Sequence, residues 1–143
     1  MNLPSIHTTR TAVAAIAATF LVGMVMVHAQ KRTTKDGVFS ADQAKRGAVL
    51  YKVQCSGCHA NDLGGGPAPQ LAGSDFLNYW EDKPVADLVS MIKENMPQLS
   101  PGSLSKDQTV DVVSYILSYN KMPAGPSDLP TDDAALAQLV MVK

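Results

Sequence analysis

The sequence predicts a small all-α domain, and three observations carry that reading. "SADQ" from Ser40 and "SKDQ" from Ser105 both have the pattern of a capping box, the signature of a helix start. Apolar residues recur at helical spacing in "PVADLVSMIKEN" (Val85, Leu88, Val89, Ile92) and after Ser105 (Val112, Val113, Ile116, Leu117). No strand pattern and no internal repeat competes with them.

The elements follow in chain order. Ser40 opens a first helix through Ala44, Val49 and Tyr51 that ends at the Cys55 region. Gly64, Gly65 and Gly66 and the prolines after them forbid regular structure. Ser74 caps a short helix reaching Trp80, and Pro84 suits the first turn of the next, which ends near Asn95. The helix opened by Ser105 packs on the first helix. "MPAGPSDLP" then forms an irregular strap, and Thr131 caps a final short helix through Leu139.

The chain has 143 residues, one domain's worth, and residues 11 to 30 carry no Lys, Arg, Asp or Glu. That stretch reads as the core of an export signal, with Arg10 as its positive flank, "TAVAAIAATFLVGMVMV" as its apolar run and a cut ahead of Gln30. The alternative is a retained membrane anchor. Lys31, Arg32 and Lys35 would then lie on the outer side, against the usual cytoplasmic excess of positive charge. Either way the body is expected outside the cytoplasm. The expected division is 1–29 signal, 30–38 linker, 39–123 principal domain and 124–143 C-terminal strap and short helix.

Beyond Arg10 the 12 basic residues become 11 against 13 acidic, a net charge of −2, and no basic run suggests nucleic acid. The two cysteines, Cys55 and Cys58, stand in "QCSGCHAND", directly followed by His59. His7 and His28 belong to the leader, so His59 is the body's histidine. A structural zinc site wants four ligands where this stretch gives three. A redox dithiol wants a strand-helix setting, and a bare disulfide leaves His59 unexplained. Cys-x-x-Cys-His suits one haem c, held covalently through Cys55 and Cys58. The thiols lie about one helical turn apart and the next imidazole turns onto the iron.

The second axial position decides what such a haem does. Four methionines remain in the body. Met91 lies within a helical apolar pattern and reads as core filling; Met141 sits close to the end of a mobile terminus. Met96 and Met122 each precede a proline, which ends a helix and extends the local chain. Met96 is favoured because its loop, "ENMPQLSPG", lies between two helices; Met122 is the rival.

These residues resemble a small class I cytochrome c, from Phe39 to about Pro123, with CSGCH as the most specific element. The resemblance implies that first and last helices cross around the haem, at Gly47 and Tyr51 in one and Tyr115 in the other. It implies that Pro69 of "APQLAG" offers its carbonyl to the ligand histidine, with Leu71 touching haem and Gly73 closing the turn. A ligand histidine needs such an acceptor on its outer nitrogen whatever its kinship. Pro67 is the competing proline. "GSDFLNYW", the run from "NMPQLSPG" to "NKMPAG", and a tail with "LP" and "AAL" are similar to haem domains associated with quinoprotein alcohol dehydrogenases, here without a propeller domain.

Trp80 is a candidate donor to a haem propionate, set against a place in the core beside Tyr79. Lys45, Arg46 and Lys52 are candidates for a docking ring, set against a solvated helix face. With His59 and Met96 on the iron, the expectation is a periplasmic monohaem carrier and not an enzyme. Its redox protein partners would be a dehydrogenase donor and an oxidase or other cytochrome acceptor. The alternatives are a five-coordinate haem that binds gas or peroxide and a haem subunit of a membrane complex. A modest core, enlarged by the haem, implies that the apo-protein folds poorly.

Overall fold

The computed structural model describes residues 31–143, so the expected leader and its cut lie outside the described residues. Six helices and one pair of very short strands follow in the order β1 (Arg32–Thr33), α1 (Ala41–Gln54), α2 (Ser56–His59), α3 (Ser74–Trp80), α4 (Val85–Asn95), α5 (Lys106–Tyr119), α6 (Asp133–Ala137) and β2 (Leu139–Val140). The all-α expectation holds. Among the described residues no helix is long and apolar enough to cross a membrane.

Helix α1 buries Gln43, Ala44, Gly47 and Tyr51, a stripe at helical spacing, against α5. The crossing is close enough that a Cβ on Gly47 would stand 1.8 Å from the Asp111 carbonyl oxygen. Tyr51 and Tyr115 pack beside it with ring centroids 5.2 Å apart. Arg46 locks the same crossing, its Nε and Nη2 donating to the two carboxylate oxygens of Asp111 at 3.0 and 2.9 Å.

The helix starts divide into those that follow the sequence pattern and those that do not. Ser105 and Gln108 form the complete capping box of α5. At α1 only half of it forms: Ser40 Oγ accepts from Gln43 N, but the Gln43 amide turns inward to the strap. There it donates to Leu129 O at 3.2 Å and accepts from Leu129 N at 2.6 Å. A buried tertiary partner outcompetes the local one. Helix α3 begins at Ser74 itself, with Gly73 as its cap at φ +85°, so Ser74 does not cap it. Helix α6 is capped by Asp132, whose carboxylate accepts from Ala135 N, and stops at Ala137 instead of running to Leu139.

Leu139 and Val140 are drawn away by strand pairing, in parallel register with Arg32 and Thr33. This corrects the expectation of no strand. The C-terminus is also not mobile at Met141, which is buried and exchanges backbone hydrogen bonds with Asp82 and Lys83. Val38 and Phe39, just after β1, are buried in the same core.

The strap is fastened by charge as well. Asp128 accepts from Ser40 Oγ and from Arg46 Nη2, and these two hydrogen bonds, the Ser40 one first, hold its carboxyl below its ordinary value of 3.8. A folded-state value below the unfolded one means that this stabilisation is full above pH 3.8 and is lost as pH falls through the depressed value. The stability gap between wild type and Asp128→Asn in denaturant titrations is therefore expected to be constant at neutral pH and to close on acidification below that range.

Candidate functional site

The end of α1 delivers Cys55, whose amide still donates to Tyr51 O, and the single turn α2 then carries Cys58 and His59. Immediately after it the backbone turns sharply: Ala60 and Leu63 have positive φ of 62° and 56° although neither is glycine. Tyr51 holds this exit, its hydroxyl donating to Ala60 O at 2.7 Å and His59 O at 3.2 Å. Burial pushes the Tyr51 hydroxyl pKa up, which keeps it a donor. The loop then folds back on the motif through Gly65 N to His59 O, Ala68 N to Cys58 O and Leu71 N to Leu63 O.

That fold-back brings the Pro69 carbonyl to 2.7 Å from His59 Nδ1. A carbonyl only accepts, so Nδ1 carries the proton and the Nε2 lone pair is left for a metal. The competing Pro67 lines the same cleft but makes no such bond. Asn120, at the end of α5, secures the loop from behind: its Nδ2 donates to Leu71 O at 2.9 Å and its Oδ1 accepts from Gly73 N at 3.0 Å.

Cys55, Cys58, His59, Pro69, Leu71 and Met96 all line one cleft of about 500 Å³, walled further by Met91, Ile92, Val112 and Ile116. One expected residue, Trp80, is elsewhere, and so is Met122, the rival to Met96. Trp80 is buried and does not line the cleft; its ring meets Tyr79 edge-on and Phe76 at a tilt, with the Lys83 ammonium 5.3 Å from it. Trp80 shares the buried side of α3 with Phe76, and apolar burial there accounts for its place. Met122 is also buried away from the cleft. Met91 is at the cleft, so its place at an apolar helical position hid a cleft-lining side chain.

The donor set suits a covalently held macrocycle better than a bare ion or a redox dithiol. Among the described residues no three His, Cys, Asp or Glu side chains converge to hold a metal ion. Burial pushes the Cys55 thiol up to about 11, opposite to the depressed value of a reactive dithiol. What remains is an apolar slot with two thiols and an oriented imidazole along it, which fits haem c.

Comparison with known proteins decides the family. The model of the family described as cytochrome c oxidase, cbb3-type, subunit III matches residues 42–116. The chain belongs to that family. It is thus a c-type cytochrome domain, its cofactor is a covalently attached haem c, and Cys55 and Cys58 are the two cysteines available to hold it. Similar curated proteins include the "cytochrome bc1 complex cytochrome c subunit" of Corynebacterium diphtheriae, 30% identical over 90 residues, which are 63% of this chain and 32% of that protein. The protein of the same name in Corynebacterium efficiens is 25% identical over 89 residues, 62% of this chain and 30% of that one. The cytochrome domain spans about a third of the length of these relatives. No solved structure matches it.

Proposed function

We propose that this cytochrome carries single electrons outside the cytoplasm, with His59 and Met96 as the residues that would hold its haem iron. The observation that carries the reading is one cleft that holds both an imidazole with its proton fixed on Nδ1 and a methionine released from the end of a helix. Haem c supplies a one-electron couple when bound.

The chain's own residues do the rest. Cys55 and Cys58 fix the group to the α1–α2 junction. Pro69 O fixes the His59 ring and strengthens it as a donor. Met96 caps α4 with an extended backbone, φ −124° and ψ 153°, which frees its thioether from the helix. Leu71, Ile92, Val112 and Ile116 keep water from the slot. With both His59 and Met96 holding the iron, no position would remain for a small molecule, and the chemistry supplied would be the gain and loss of one electron.

The donor in this reading is a dehydrogenase, a quinoprotein being one kind, and the acceptor an oxidase or another cytochrome. The relatives' name favours a second assignment, a haem subunit of a membrane-bound redox complex. Co-purification with other redox proteins only in detergent separates that assignment from a free periplasmic carrier. The carrier chemistry itself is tested with carbon monoxide. The reduced, haem-loaded protein is expected not to bind it at neutral pH; rapid, saturable binding would sink the two-ligand reading and favour a gas-binding haem.

A further inference from the structure

Pro69 carries no amide proton, so its own backbone donates nothing that would anchor the carbonyl meeting His59 Nδ1 at 2.7 Å. Neighbours set its place. On one side Ala68 N donates to Cys58 O at 3.1 Å, and on the other Leu71 N donates to Leu63 O at 2.8 Å. Both ties stay within the segment that follows the haem motif. A loop held only to itself is free to shift as a unit against the helices that wall the cleft.

One residue ties it to those helices. Among the described residues, every hydrogen bond of residues 64–73 stays within residues 58–77 except those made with Asn120. Asn120 Nδ2 donates to Leu71 O and to Ile116 O, each at 2.9 Å, and its Oδ1 accepts from Gly73 N at 3.0 Å. Both amide protons and the amide oxygen are thus committed. Three partners also fix the group's orientation, since turned over its oxygen would face two carbonyls.

Closing the end of α5 needs only the Ile116 bond. The other two reach back 47 and 49 positions in the chain. Ile116 and Leu71 both line the cleft, so Asn120 joins a wall of the cleft to the segment that carries the histidine's acceptor.

Resting on the reading of His59 as the residue that holds the haem iron, we infer that Asn120 is a positioning residue for the haem potential: by holding Leu71 and Gly73 against α5, it keeps Pro69 O on His59 Nδ1. That bond acts on the iron through the ring. An imidazole that shares its Nδ1 proton with a carbonyl is a stronger donor at Nε2, and a stronger donor favours ferric over ferrous iron. Freeing the loop weakens the bond and moves the equilibrium toward ferrous.

Asn120→Leu tests this, because it keeps most of the side chain's bulk and removes all three bonds. In haem-loaded protein the ferric–ferrous equilibrium is expected to move about threefold toward ferrous, a rise of about 28 mV at about 59 mV per tenfold for one electron. Exchange of the His59 Nδ1 proton with solvent, followed by NMR in the reduced protein, is expected to quicken about tenfold or more. Gln43→Met is the control. It removes two buried bonds to Leu129 and so costs stability, but Gln43 lies at the start of α1 and away from the cleft. Its potential and its proton exchange are expected to match the wild type.

If Asn120→Leu does not accumulate with haem, Asn120→Asp decides the matter: it keeps an acceptor for Gly73 N and loses the donor to Leu71 O. Faster Nδ1 proton exchange is expected there too, and it is read in place of the potential, which the added charge would itself move. A less stable Asn120 variant with wild-type potential and proton exchange would reduce Asn120 to a structural tie and overturn the inference. Equal changes in Gln43→Met would overturn it as well, by showing general loosening. A wild-type His59 ring without the ring-current shift of an adjacent haem would instead remove His59 as the residue on the iron, and the inference with it.

Discussion

Met96→Leu is expected to lower the reduction potential by on the order of a few hundred millivolts and to open the reduced protein to carbon monoxide. Met91→Leu is expected to do neither. A thioether is a soft, neutral donor that favours the ferrous state, and leucine removes the sulfur while keeping most of the apolar volume. Both methionines line the cleft, so position in the chain must separate them. Met91 sits inside α4, where the helix holds its side chain among its neighbours, between Leu88 and Ile92 in sequence. Met96 ends that helix with its amide still bonded to Ile92 O and its backbone extended, and Pro97 prevents any return to helix.

Redox titration and the long-wavelength absorption of sulfur-bound ferric haem decide the matter. If the band and the potential survive in Met96→Leu and vanish in Met91→Leu, the ligand is Met91 and the loop after α4 has another role. If both variants keep them, neither methionine is the ligand. Since leucine conserves bulk, the fold should persist in both variants, and a matched denaturation midpoint would show that the change is one of ligation.

Much of this arrangement was legible in the sequence because it rests on local rules. The box at Ser105 and Gln108 needs only residues three apart, and the apolar stripe of α4 needs only helical spacing. Cys55, Cys58 and His59 are adjacent in the chain, so their grouping survives any uncertainty about the fold. Pro69 as the acceptor for His59 came from the resemblance and not from a local rule, with Pro67 left open beside it, and the fold of the loop is what separates the two.

What sequence missed depends on residues far apart. Gln43 gave up its local cap for Leu129, 86 positions away, and nothing around Gln43 announces that partner. The β1–β2 pair joins Arg32 to Leu139, and two-residue strands are too short to show a period. Asp132 and Thr131 are both good caps, and only the start of strand pairing at Leu139 shows where α6 must end. Met91 was hidden for the converse reason: an apolar helical position reads the same whether it faces protein or cofactor. Asn120, which fastens Leu71 and Gly73, carries no motif at all.

Gly47→Ala is expected to cost about 3 kcal/mol or more and to reduce the yield of haem-loaded protein, because it strikes the contact on which the site is built. The added Cβ would stand 1.8 Å from Asp111 O, 2.5 Å from Asp111 C and 3.0 Å from the Tyr115 Cβ. The first two are backbone atoms of α5, so no side-chain rotation relieves the overlap and one helix must shift. Any shift loosens the Arg46–Asp111 pair and the tilted Tyr51–Tyr115 contact together. Tyr51 also holds the carbonyls of His59 and Ala60, and Cys55 follows directly from the end of α1, so displacement at the crossing reaches the haem attachment. Gly57→Ala is the control: it lies inside the Cys-x-x-Cys spacing, yet nothing stands within 4 Å of its added Cβ, and a change within about 0.5 kcal/mol is expected. Denaturant midpoints of the two variants, measured on haem-loaded protein beside the yield of each, give the answer. Equal stability for both would mean that α1 and α5 do not cross at Gly47; a large loss at Gly47 alone would place the strength of the haem site in a helix crossing that touches no haem.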